Sequence, residues 1–229
     1  MFTQLAPTLW TLTHPLHLGP VCMDHTMTVA LLPDEQLWIH SPVAYSPALA
    51  QALTALGKPT HFVAPSIYHD LYWREWFAAY PQAQFYAVAG VREEHPELPF
   101  THVLDQTAPS DWNDAFAQVP VGGMPKLNEI AFLHRESNTA IITDLVFNYA
   151  EDPGFNFATR CTLKIFGTYN RYCGVSRLLR TCFADKRAVR RAVDEIVAWN
   201  FSGMVVGHGR AITANGSEAL REAYAFLKA

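Results

Sequence analysis

The sequence predicts an α+β fold, and three observations support that expectation. Apolar, β-branched runs such as Ala140-Ile-Ile-Thr143 and Met204-Val-Val206 have the length and composition of buried strands. Other stretches space their apolar residues as one face of a helix, most clearly Ala188, Val189, Ala192, Val193, Ile196 and Val197. At several widely separated points an apolar run stops abruptly on a histidine or a carboxylate, where a sheet tends to present side chains to a ligand.

Of the 229 residues half are hydrophobic and 13% aromatic, enough for one sizeable core. No stretch has linker composition, so a single domain over residues 1–229 is expected. The net charge of −4, with 17 Lys and Arg, leaves no electrostatic footprint for nucleic acid. The densest basic group, Lys186-Arg187 with Arg190-Arg191, falls on the solvated face of the predicted helix that Asp185 caps. Four scattered cysteines without a CxxC pair argue against a zinc ribbon or a disulfide framework. Met1–Pro7 lacks a basic segment followed by an apolar one, and no apolar run reaches membrane-spanning length. A reducing cytoplasmic setting, no membrane partner and a small-molecule substrate of unknown class are therefore expected.

The chain opens with strands and turns. Leu9–Thr13 alternates, Met27–Leu32 is a buried-strand candidate, Pro33-Asp34-Glu35 is turn chemistry, and Leu37-Trp38-Ile39 runs into His40-Ser41-Pro42. Ser46-Pro47 starts a helix over Ala48–Leu56, closed by Gly57. The strand Thr60–Ala64, the loop from Pro65 to Asp70, an aromatic helix Leu71–Tyr80 stopped by Pro81, and the strand Gln84–Val88 come next. Gly90–Pro125 is rich in Pro, Gly and acids and predicts a surface connection over the site, with one helical piece at Asp111–Gln118. Glu129–Leu133 and Ala140–Thr143 form a hairpin around His134–Asn138. Short helices and loops fill Ala150–Thr181, and a helix over Glu218–Lys228 ends the chain after the Met204–Val206 strand.

The residues that can carry chemistry are those at the strand ends: His40, the loop Tyr68-His69-Asp70, Asp144 and His208, with Glu129 opening the strand that pairs with the one ending at Asp144. Imidazoles and carboxylates are the ligands of zinc, iron and manganese sites. Other candidates have blander readings. His14, His17 and His25 fit no strict strand face and are expected in loops; His134 and Arg135 are expected to be exposed in the hairpin. Trp73, Trp76, Phe77 and Tyr80 recur at helical spacing and are expected to pack in the core. Asn148 either orients a ligand or starts a turn.

The order of these elements resembles the metallo-β-lactamase superfamily. Ile141-Ile-Thr-Asp144 is similar to that superfamily's strand ending in a bridging aspartate, and Val205-Val-Gly-His208-Gly209 to its terminal histidine motif. Leu37–Pro42, Val63–Asp70, Trp76–Pro81 and Glu129–Arg135 more narrowly resemble a related domain-of-unknown-function family. The resemblance implies a four-layer αββα sandwich with one or two metals at the strand ends. The superfamily's His-x-His-x-Asp-His motif is not intact. Aligned without gaps, only Asp70 coincides, with Ser66, Tyr68 and Leu71 in place of three histidines; a one-residue shift lets His69 stand as a ligand. Lys126-Leu-Asn128-Glu129 replaces a further histidine, so a full binuclear site is not expected.

Two readings stay open. In one, His69, Glu129, Asp144 and His208 hold one divalent metal (Zn, Fe or Mn), with Asp70 or Glu129 as general base of a metal-dependent hydrolase. In the other, the chain is a non-catalytic binding or scaffold protein that kept the fold and lost the metal, leaving a hydrogen-bonded polar cluster.

Overall fold

The structure is a computed structural model and describes residues 1–227. Its first sheet begins as an antiparallel meander: β1 (Thr3–Ala6), β2 (Leu9–Leu18), β3 (Val21–Leu31) and β4 (Gln36–His40). It continues in parallel through α1 (Pro47–Thr54), β5 (Lys58–Ala64), α2 (Trp73–Ala79), β6 (Gln84–Val88), α3 (Ala89–Glu94) and β7 (His102–Leu104). Parallel neighbours need a crossover, and here each crossover is a short helix. The seven strands lie in sequence order. The chain then builds β8 (Phe116–Pro120), β9 (Ile130–His134), β10 (Thr139–Ile141) and β11 (Phe147–Tyr149). α4 (Phe157–Phe166), β12 (Arg171–Gly174), α5 (Arg177–Arg180), α6 (Lys186–Val197), β13 (Gly203–Val205) and α7 (Gly216–Ala223) complete it. The second sheet has the order β13-β10-β9-β8, and β11 and β12 pair by themselves.

Alternation along the second sheet makes the layers. Ile130 and Phe132 of β9, Ile141 of β10 and Val205 of β13 face the first sheet; Ala131, Leu133, Ala140 and Met204 face outward. The outward set is covered by Val189, Val193 and Ile196 of α6 and Leu220 of α7. Trp38 ties the sheets together, its ring 4.3 Å from Phe116 and 5.2 Å from Phe132. On the far face of the first sheet Leu49 and Leu53 of α1 and Trp73 and Trp76 of α2 are buried, with Trp76 against Phe62. Helix, sheet, sheet, helix is the expected αββα arrangement, and the aromatic helix packs as its spacing implied. No helix among the described residues is long and apolar enough to cross a membrane, and all four cysteines are free.

Four expectations fail. Asp111–Gln118 is not helical: the chain turns at 111–115 and Phe116–Pro120 pairs with β9, burying Phe116 and Gln118. His14, His17 and His25 lie on strands, because β2 and β3 run ten register pairs, from Leu9 with Ala30 to Leu18 with Val21. Pro15 obscured that hairpin, yet it lies beyond β1, whose pairing with β2 stops at Thr11, so its missing N–H costs no ladder bond. His134 is buried, its ring tilted against Phe116 with Nδ1 at 2.7 Å from Ser137 Oγ, and of the two only Arg135 is exposed. The final helix ends at Ala223, five residues before the expected Lys228, which itself lies outside the described residues.

His40 shows what strand alternation decides. Its side chain enters the sandwich between Trp38 and Phe132, and neither ring nitrogen has a hydrogen-bond partner. Burial, with the charges of His69 and His25, holds it well below the ordinary imidazole value of 6.5. The unfolded chain therefore takes up a proton below about 6.5 that the folded chain refuses, and stability is lost as pH falls. His40→Phe is expected to stabilise the chain by about 1–3 kcal/mol at neutral pH. It is also expected to flatten the fall in urea midpoint between neutral and mildly acidic buffer.

Candidate metal centre

The parallel pairing of β10 with β13 sets the register of the site. Ile141 stands beside Val205, so the chains leave the sheet together, and three residues later they present Asp144 and His208. Gly207 donates its N–H to Thr143 O at 3.0 Å and accepts from Thr26 at its carbonyl, also at 3.0 Å, locking this exit against the first sheet. His69 arrives from the opposite sheet in the turn after β5. That turn is held to the second sheet by Ile67 N–H to Leu127 O and Ile130 N–H to Pro65 O.

The three side chains converge. His208 Nε2 lies 3.2 Å from Asp144 Oδ1 and His69 Nε2 lies 3.6 Å from Asp144 Oδ2, and all three residues are buried. Four-coordinate bonds of about 2.0–2.2 Å separate their donor atoms by about 3.4 Å, so these spacings suit one small cation. Asp144 Oδ2 is fully buried and has no hydrogen-bond partner. Burial alone would raise the Asp144 carboxyl, but the neighbouring His69 charge and the hydrogen bond from His208 hold it well below the usual carboxylate range.

The outer contacts orient the rings. His208 Nδ1–H donates to the carbonyl oxygen of Asp24, which can only accept, so in the neutral ring Nε2 presents a lone pair toward Asp144. With no cation between them, that contact requires the imidazolium. Burial pulls His208 down, but the hydrogen bond and charge of Asp144 outweigh it and the net shift is upward. Phe147 stacks on His208 with ring centroids 4.8 Å apart. His69 Nδ1 meets Ser41 Oγ, and His25 Nε2 lies 3.1 Å from both that hydroxyl and Ser41 O. His25 is pushed down to about 3 by burial and by the charges of His69 and His208, so it supports this chain as a neutral ring.

The other two sequence candidates are not in the cluster. Glu129 lies beneath it with both carboxyl oxygens taken: Thr143 N–H donates to Oε1 at 2.6 Å and Asp144 N–H to Oε2 at 3.0 Å. Burial and the Asp144 charge push this carboxyl up to about 8. Asp70 turns away to His95, Oδ2 to Nε2 2.7 Å, in a half-exposed group with Glu94. His25 and Ser41 escaped the sequence reading. Ser41 sits one residue past His40, with φ +52°, so that strand's side-chain alternation delivers the serine and not the histidine to the site. Asn148 lies in β11 and starts no turn: its N–H donates to His208 O and its side-chain amide to Arg210 O. Gly209 (φ +95°) makes that approach possible, since a Cβ there would lie 2.2 Å from Asn148 O.

A cavity of about 710 Å³ opens on Asp144 and His208. Its walls come from the β2–β3 hairpin, the 67–71 loop and residues 166–182; the Gly90–Pro125 stretch, expected to cover the site, contributes only Glu94. Gly207 packs against the cluster, and a Cβ there would lie 3.0 Å from both His69 Cε1 and Thr143 O. Gly207→Ala is expected to cost about 1–3 kcal/mol through overpacking. Titration against a chromogenic chelator should show at least about a tenfold loss of metal affinity in the same variant.

Layering, register and the buried His–Asp–His cluster at the strand ends define a metallo-β-lactamase-like fold. The chain belongs to the family described as a domain of unknown function (DUF4336), whose profile matches residues 6–163 and so includes His69, Asp70, Glu129 and Asp144 but not His208. Among curated proteins none matches. The DIM-1 metallo-β-lactamase superposes with a TM-score of 0.70 at 10% identity, covering 100% of this chain and 98% of that one. FIM-1 from Pseudomonas aeruginosa, in its mono-zinc form, gives 0.69 at 14% identity over 99% and 95%. The enzyme from Hirschia baltica gives 0.67 at 14% over 99% and 96%. At such identities the likeness shows the fold alone.

Proposed function

We propose that this protein is a metal-dependent hydrolase with one divalent cation, zinc in the first instance and iron or manganese otherwise, held by His69 Nε2, the Asp144 carboxylate and His208 Nε2. The observation that carries this reading is Asp144 Oδ2, a buried carboxylate oxygen without a partner that faces an imidazole nitrogen. Three protein ligands leave a coordination position open, as in catalytic rather than structural sites. A cation in such a site supplies a Lewis acid and yields a nucleophile from water near neutral pH. Ser41 and the Asp24 carbonyl fix the two imidazoles, and Glu129 sets the backbone at Asp144. Neither Glu129 nor Asp70 offers a free carboxylate at the cluster, so this reading gives neither of them the role of general base. FIM-1 in its mono-zinc form shows that a related fold can hold a single zinc. A small-molecule substrate fits a cavity of this size.

The metal-free alternative is favoured by one fact: Ser66, Tyr68 and Leu71 stand where the resembling superfamily has histidines. Elemental analysis of the purified protein separates the two readings. It should be combined with a panel of ester, lactone, thioester and phosphodiester substrates assayed with added Zn²⁺, Mn²⁺ or Fe²⁺. About one equivalent of metal, with chelator-sensitive turnover, is the expected result; metal-free, inactive protein under all three cations defeats the hydrolase reading.

A further inference from the structure

Resting on that hydrolase reading, we propose that the substrate is an ester or thioester of a medium-length aliphatic acid, whose hydrocarbon chain lies along the apolar face of the β2–β3 hairpin. Leu18, Leu16, Met23 and His25 all line the cavity. Leu16 pairs directly with Met23, and Leu18 and His25 each lie two residues from one of them, so all four share one face. This face forms a continuous stripe from the hairpin tip to the imidazole beside the cluster. His25 pairs with His14, four residues from Leu18, and a strand rise of about 3.4 Å makes the stripe about 14 Å long. Phe166, Leu178 and Leu179 form the facing wall.

Exposure points the same way. Ten large hydrophobic side chains are exposed among the described residues, and four of them, Leu18, Tyr68, Leu71 and Leu178, line this single cavity. Singly scattered apolar residues need no explanation, whereas their concentration around one opening marks a ligand surface. With Asp144 and His208 bordering the same cavity, an acyl chain on the stripe sets its carbonyl carbon at the cluster. In the hydrolysis the bond from that carbon to the alcohol oxygen or thiol sulfur breaks. The hydroxyl of water joins the acyl carbon, and the remaining proton leaves with the alcohol or thiol.

The test uses methyl ketones with butyl, hexyl, octyl and decyl chains, which offer the carbonyl without a leaving group. Their binding to chelator-treated and to metal-loaded protein is followed by displacement of a polarity-sensitive fluorophore. In parallel, kcat/KM is measured for p-nitrophenyl esters and for S-phenyl thioesters of the matching acids. One-to-one binding that tightens about 3–4-fold per added methylene is expected, with or without metal, and with kcat/KM rising alongside. Leu178→Asp, at an exposed position, and Met23→Asp, at a partly exposed one, should cut the slope below about twofold per methylene while metal content stays unchanged. Ketone binding or ester turnover indifferent to chain length, or a full slope surviving in both variants, overturns the proposal and leaves the hydrolase reading standing. A full ketone slope with no ester or thioester cleaved supports the chain-binding stripe and defeats the hydrolase reading instead.

Discussion

Replacing His208 or Asp144 with alanine should abolish stoichiometric metal binding, lowering affinity by more than about 100-fold, while Ser41→Ala lowers it only about 10–100-fold. The order follows from position. His208 and Asp144 supply two of the three converging donor sets, and neither loss can be made good by Glu129, whose oxygens are both occupied by amides. Within the three-residue cluster Ser41 touches only the far nitrogen of His69, so its removal frees that ring to rotate without removing a donor. Competition with a chromogenic chelator gives the affinities, and circular dichroism checks that each variant is folded. Equal metal binding in wild type, His208→Ala and Asp144→Ala would place any cation elsewhere.

Glu129→Ala is expected to destabilise the chain by about 2–6 kcal/mol, since two buried amide donors each lose a partner at about 1–3 kcal/mol apiece. The loss falls on Thr143 and Asp144, and Glu129 is buried on all sides. Urea unfolding monitored by tryptophan fluorescence provides the measurement. Glu129→Gln keeps one acceptor and should recover part of the loss. A change below about 1 kcal/mol in Glu129→Ala would show that these amides find other partners, and the anchoring role assigned to Glu129 would fall.

Asp144 and His208 were legible because each ends an apolar strand, and strand ends are local features of the sequence. That they would meet rests on the parallel pairing of β10 with β13, which brings together segments 64 residues apart in the chain. His69 was harder to place, since the neighbouring Asp70 is an equally good ligand on paper; the turn after β5 gives His69 to the cluster and Asp70 to His95. Glu129 misled for a physical reason. A carboxylate opening a strand looks the same in sequence whether it will hold a cation or two amide hydrogens. His25 and Ser41 were hidden in different ways, one by the proline and histidines that blur the β2–β3 alternation, the other by standing one residue beyond a more conspicuous histidine.

The sequence by itself determined most of the strands and helices and put Asp144 and His208 at strand ends, because hydrophobic period, β-branched runs, helix caps and turn residues act over a few neighbouring positions. Asp185 and Ser46 cap their helices as their spacing implies, and the β9–β10 hairpin pairs as its pattern implies. Only the tertiary structure decided which polar side chains share the site, which acid is consumed by backbone amides, and which walls enclose the cavity. Those outcomes depend on register between distant strands and on one-residue alternation, where a shift of a single position moves a side chain from the core to the site.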